Sequence, residues 1–138
     1  MPTIRPRRSV LYMPGSNTRA LEKARTLPAD ALILDLEDAV APDAKDIARE
    51  QVCAAVKARG FGKREVIVRI NALSTPWGAA DLKAAAEAAP DAILVPKVSA
   101  PAELAAVEQG LGSANIAIWA MVETPVAILN IGQVAASG

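Results

Sequence analysis

The chain has 138 residues, 52% of them hydrophobic, 22% charged and 3% aromatic, about one average domain with enough apolar matter for a packed core. Fifteen Lys and Arg balance fifteen Asp and Glu, which excludes a strongly basic nucleic-acid binder and an acidic tail protein. With no histidine and a single cysteine, Cys53, an imidazole base, a Ser-His-Asp triad, a histidine metal ligand and an intramolecular disulfide are all excluded, and the cysteine usage fits a reducing compartment.

Five short apolar runs alternate with Ala-rich segments of helical spacing. Ser9-Val-Leu-Tyr-Met13 stops at Pro14-Gly15, and residues 17–27 read as helix. Ala31-Leu-Ile-Leu-Asp-Leu-Glu37 is followed by a helix over 43–59, with Asp43 as its N-cap and Gly60 just past its end. Glu65-Val-Ile-Val-Arg-Ile70 precedes a helix over 77–88, and Ala92-Ile-Leu-Val-Pro-Lys-Val98 precedes one over 100–110, capped by Ser99 with Pro101 in its first turn. Ile116-Ala-Ile-Trp-Ala-Met-Val122 precedes a helix over 126–136. Near-continuous Val/Ile/Leu runs are the pattern of parallel strands covered on both faces. No apolar run reaches the roughly 18–20 residues of a membrane span, and no long apolar segment follows the basic start Met1–Arg8. The expectation is a soluble, cytoplasmic α/β protein with no membrane or nucleic-acid partner.

Two architectures accept this (βα)5 pattern. A doubly wound sheet of the flavodoxin type fits the length. A (β/α)8 barrel needs roughly 250 residues, so this chain would be its first five units. In both, ligands bind at the C-terminal strand ends, and four of the five ends carry ionisable groups: Asp35-Leu-Glu-Asp38, Arg69-Ile-Asn71, Pro96-Lys97 and Glu123-Thr-Pro125. Asp35 and Glu37 share one face of their strand, with Asp38 opening the loop. Three carboxylates so close need a neutralising cation, and without one they serve as a cap or a solvated turn. Arg69 lies inside a β-branched run; it is either a structural ion-pair partner of Asp35 or Glu37, or a guanidinium fork for a substrate carboxylate. Glu123 ends an apolar strand, as a Mg2+ ligand or as a cap for the following helix. Lys97 is either a Schiff-base lysine or a neutraliser of its acidic neighbours. Pro14-Gly-Ser-Asn17 opens a helix near Arg7, Arg8, Arg19 and Lys23, a weak phosphate-binding signal.

In order along the chain, Leu11-Tyr-Met-Pro-Gly-Ser-Asn17, Leu34-Asp-Leu-Glu-Asp-Ala-Val-Ala-Pro-Asp43, Val68-Arg-Ile-Asn71, Val95-Pro-Lys-Val98 and Val122-Glu-Thr-Pro125 resemble the HpcH/HpaI aldolase and citrate lyase β-subunit-like family, which includes malyl-CoA and citramalyl-CoA lyases. The resemblance runs from about Arg8 to Ser137 and implies a (β/α)8 barrel of the TIM type. Residues 1–138 would be the N-terminal part of its single catalytic domain. Such a piece leaves two open sheet edges and predicts poor solubility, or pairing with a second half or another copy.

The resemblance further implies Mg2+ on Glu123, with a second Asp ligand and a neighbouring subunit's catalytic Asp lying past Gly138. It implies Arg69 on the keto-acid end of the substrate. Tyr12, Asn17 and Lys23 stand where the family contacts CoA, although many relatives carry Arg at the place of Asn17. The keto-acid aldolase branch has Glu-His where this chain has Glu37-Asp38, so the thioester lyase branch fits better, with Glu37 and Asp38 ordering metal-bound waters.

The expected function is Mg2+-dependent carbon–carbon cleavage of a 3-hydroxyacyl thioester such as a malyl, citramalyl or citryl thioester. Its partners would be an acyl-CoA or acyl-carrier thioester and a keto acid, in a homo-oligomer (trimer or hexamer). The alternatives are a class II keto-acid aldolase and a truncated, non-catalytic fragment. A receiver-like phosphoacceptor domain fits poorly, because the first and third strands end in Pro14-Gly15 and Arg69 rather than in acids.

Overall fold

A computed structural model describes residues 4–137. Five parallel strands, β1 (Val10–Pro14), β2 (Ala31–Asp35), β3 (Glu65–Arg69), β4 (Ala92–Val95) and β5 (Ala117–Ala120), lie in the order β1-β2-β3-β4-β5. Each strand thus pairs with its sequence neighbours, as in a barrel wall. A doubly wound sheet instead reverses its strand order at a switch point, so topology decides between the two architectures where length could not.

The helices are α1 (Thr18–Ala24), α2 (Lys45–Ala58), α3 (Gly78–Ala88), α4 (Pro101–Leu111), α5 (Pro125–Leu129) and α6 (Ile131–Ala135). Leu32, Leu34, Leu36, Val66, Val68, Ile70, Ile93 and Val95 face Leu21, Val52, Val56, Leu82, Leu104 and Val107 of the helices in the main core. The alternate residues Ala31, Ile33, Ile67, Ala92 and Leu94 form a smaller cluster with Trp119 and Met121. The period of two along each strand makes this second set the opposite, inner face of the sheet. Asp35 and Arg69 continue the same alternation, side by side in register on that inner face.

β2, β3 and β4 are buried throughout, as their apolar runs predict, whereas β1 and β5 are edge strands with exposed or half-exposed residues. Gly15 permits a close approach. Its N–H donates to the Asp35 carbonyl at 2.8 Å, and a Cβ there would stand 2.5 Å from that oxygen.

Two caps differ from expectation. Asp43 lies in a 3-10 turn (Pro42–Ala44), and α2 starts after Ala44 without a side-chain cap. At α4 the cap residue is Ala100, with Pro101 in the first turn. Ser99 does not cap it; its N–H, like that of Ala100, donates to the Glu103 carboxylate reaching back from the helix. The helix expected over 126–136 is broken at Asn130 into α5 and α6. No helix among the described residues is long and apolar enough to cross a membrane.

Candidate active site

The C-terminal ends of β2, β3, β4 and β5 converge on one charged cluster. Arg69 Nε and Nη2 each donate to an Asp35 carboxylate oxygen at 2.7 Å, and both side chains are buried. Asp35 also accepts the N–H groups of Glu37 and Ala39, each at 2.9 Å. Burial raises the Asp35 carboxyl, but Arg69 and the two amides outweigh it and leave its pKa below the usual value. Burial lowers Arg69, and the bonds to Asp35 more than reverse this.

The two-pronged grip on a substrate carboxylate expected of Arg69 is therefore corrected, because Asp35 already fills that edge. The other edge faces Glu37 and Asp38. Nη1 stands 3.2 Å from Glu37 and 3.9 Å from Asp38, and donates to the Met121 sulfur at 3.7 Å. Tyr12 stacks beneath, its ring 4.9 Å from the guanidinium carbon; burial pushes its phenol pKa up.

Lys97 closes the cluster. Its ammonium bonds Glu37 and lies 3.5 Å from Asp38, while its backbone N–H donates to Glu123 Oε1 at 2.7 Å. The bond to Glu37 raises the Lys97 pKa, the opposite of what a Schiff-base lysine requires. Lys97 is thus the neutralising lysine. Glu123 does not cap the following helix; Thr124 does, its Oγ1 accepting the Ala127 N–H at 3.1 Å. Glu123 Oε2 has no protein partner among the described residues.

No three metal-ligating side chains converge among the described residues. The donors nevertheless fit Mg2+ in kind. They are hard carboxylate oxygens at a solvent-exposed edge, and that ion accepts one or two carboxylates while keeping waters.

Two of the residues expected to contact CoA lie at the two ends of α1. Asn17 caps α1, its Oδ1 accepting the Ala20 N–H at 3.0 Å, so the amide end of α1 is filled by the chain itself. Lys23 is exposed in the last turn of α1. Arg7 and Arg8 do not approach that helix start. Arg7 binds Glu65 with bonds of 2.6 and 2.8 Å, and Arg8 binds Asp30.

Sequence reading missed Lys45, which is buried beneath the acidic loop. Its ammonium donates to the carbonyls of Leu36 at 2.9 Å and Glu37 at 2.6 Å and lies over the Trp77 ring. Burial lowers its pKa. The signal was its spacing: Lys45, Ala48, Val52 and Val56 form one buried helix face. It also missed buried Asp81, which accepts from Asn71 and Arg49 and, through Asn71 Nδ2 bonded to the Leu36 carbonyl, ties the ends of β2 and β3 together.

A family model described as HpcH/HpaI aldolase/citrate lyase matches residues 8–138. The chain is 53% identical over 131 residues to a (3S)-malyl-CoA thioesterase of Cereibacter sphaeroides, covering 95% of this chain and 45% of the relative. It is 34% identical over 140 residues to the citrate lyase subunit beta of Escherichia coli K12, covering 95% and 46%. Among solved structures, protein CitE of Mycobacterium tuberculosis in complex with magnesium, acetoacetate and coenzyme A superposes with a TM-score of 0.79 at 30% identity, covering 98% of this chain and 47% of that one. The citrate lyase beta subunit of M. tuberculosis with oxaloacetate and magnesium gives 0.73 at 31% identity, covering 93% and 52%. This chain spans about half the length of the curated relatives it matches. Topology, strand-end chemistry and these matches agree: the chain belongs to the HpcH/HpaI aldolase/citrate lyase family.

Proposed function

We propose that this chain is the N-terminal part of a single (β/α)8 catalytic domain whose reaction is Mg2+-dependent carbon–carbon cleavage of a malyl-, citramalyl- or citryl-type thioester. The observation that carries the reading is the cluster itself: a guanidinium whose Nη1 faces Glu37 and Asp38, beside a Glu123 oxygen without a protein partner among the described residues. Relatives of the chain include a malyl-CoA/β-methylmalyl-CoA lyase and citrate lyase subunits.

In this reading Arg69 Nη1 holds the carboxylate or oxyanion of the keto-acid half, with Asp35 and Tyr12 fixing the plane of the guanidinium. Glu123 holds the metal, and Glu37 and Asp38 order water around it. Tyr12, Asn17 and Lys23 lie toward the CoA side. When bound, Mg2+ supplies Lewis-acid polarisation of the substrate oxygen. The substrate hydroxyl passes its proton to a water molecule and becomes a carbonyl. The carbon–carbon bond breaks, and its electron pair passes to the acyl thioester as an enolate, and that proton is the one returned to the enolate carbon. Arg69 stabilises the oxyanion charge as it develops. The protein works as a homo-oligomer in the cytoplasm.

The 53% identity to a malyl-CoA thioesterase favours a second reading, in which water attacks the thioester carbonyl and the thiol leaves. Product analysis on malyl-CoA separates them. Glyoxylate with acetyl-CoA is the expected result, malate with free CoA selects the hydrolase, and turnover unaffected by chelator contradicts the metal in both.

A further inference from the structure

Three non-glycine residues have positive φ: Arg59, Ala89 and Lys97. The first two are the C-cap residues of α2 and α3, and Ala89 has the left-handed conformation that commonly ends a helix. Lys97 ends no helix; it stands two residues beyond β4 with φ at 52°. In this conformation one residue touches three carboxylates from two other strand ends: its amide binds Glu123, and its ammonium binds Glu37 and approaches Asp38. Its side chain is half exposed.

The charges around Lys97 are nearly balanced. Asp35, Glu37, Asp38 and Glu123 face Arg69, Lys97 and, from behind the loop, Lys45. Among these described groups one negative charge remains in excess. A divalent cation on Glu123 turns the excess positive by one, which a ligand with a single carboxylate cancels. Arg69 binds buried Asp35 through Nε and Nη2, leaving Nη1 toward the site, and Lys45 binds two backbone carbonyls. Lys97 is the solvent-facing cation of the three.

We propose that Lys97 is a specificity-determining residue whose ammonium weakens the site for a bare divalent cation and strengthens it for a cation accompanied by a 2-oxo acid carboxylate. This rests on the reading that Glu123 holds the metal. Coulomb's law gives the two effects opposite signs. A substitution that merely disturbed the fold would weaken both ligands together.

The test is calorimetric titration of the protein and its Lys97→Met, Lys97→Arg and Lys97→Gly variants with MgCl2, then with glyoxylate at saturating Mg2+. Circular dichroism confirms folding, and Lys97→Gly supplies a variant whose backbone adopts positive φ without strain. Lys97→Met and Lys97→Gly should bind Mg2+ at least about fivefold more tightly and glyoxylate at least about fivefold more weakly, with Lys97→Arg near the parent in both. Equal shifts of one sign, or none, overturn the proposal while leaving Glu123 as ligand. A parent protein that binds no Mg2+ overturns the metal reading and this inference with it.

Discussion

The two ends of the inner sheet face carry the same device with opposite outcomes. At the N-terminal end, Arg7 grips Glu65 through two hydrogen bonds and lies over Trp119, and Arg8 grips Asp30. Glu65 and Asp30 each have their own arginine. At the C-terminal end, Arg69 grips Asp35 in the same bidentate way, but Glu37, Asp38 and Glu123 follow with Lys97 shared among them. A matched Arg–carboxylate pair is self-sufficient structure, whereas unmatched acids around one need a further cation. The pairs therefore do not mark the site; the surplus beside one of them does.

The comparison breaks most visibly at the paired arginines. Arg69→Met leaves Asp35 buried and uncompensated, which should cost about 3–5 kcal/mol and lower the Tm by roughly 10 °C or more. Arg7→Met should lower it by less than half as much, because the Arg7 side chain is 37% exposed and water can take its place over the Glu65 carboxylate. Equal losses at the two ends would contradict the contrast in burial. Arg69→Lys should lower kcat/KM on a malyl thioester by at least ~10²-fold. The bidentate bond to Asp35 adds a loss of stability, the outcome expected of the ion-pair alternative in the sequence.

Acid separates the two ends less sharply. Asp35, Asp30 and Glu65 all have lowered pKa values in the folded chain, Asp30 to about 2. A lowered carboxyl pKa stabilises the fold above the unfolded value, and that stability is lost as pH falls through the folded one. Thermal melts should hold steady down to about pH 5 and weaken below about pH 4. Asp30→Asn should flatten the acid limb without affecting Mg2+ binding, whose carboxylates lie at the other end. The smallest effect is at the helix cap: Asn17→Ala should cost about 1 kcal/mol and Asn17→Asp almost nothing, read as Tm. An unchanged Tm in Asn17→Ala would show that its bond to Ala20 does not support α1.

Much of this was legible in the sequence. The apolar runs located all five strands, and the motifs at their ends named Glu37, Asp38, Arg69 and Glu123. Strand order was not legible from composition, since a barrel wall and a doubly wound sheet share one alternating pattern; only the family resemblance pointed to the barrel. The caps at Asp43 and Ser99 misled because a 3-10 turn and a returning Glu103 took over those helix starts. Lys45 and Asp81 went unread because each is a charged residue on an otherwise apolar helix face, where only a three-dimensional partner explains it. Which edge of Arg69 faces Glu37 and Asp38 depended on Asp35, a choice that spacing along the chain does not encode.

The surplus of acids at the C-terminal end is tested most directly by Mg2+ titration calorimetry of the protein and its Glu123→Gln variant. Glutamine keeps an oxygen for the Lys97 amide but loses the charge. The parent should bind one Mg2+ per chain, and Glu123→Gln should bind it at least about tenfold more weakly, with a Tm within about 2 °C of the parent. Undiminished Mg2+ binding by a folded Glu123→Gln variant would contradict the assignment of the metal to this end of the sheet.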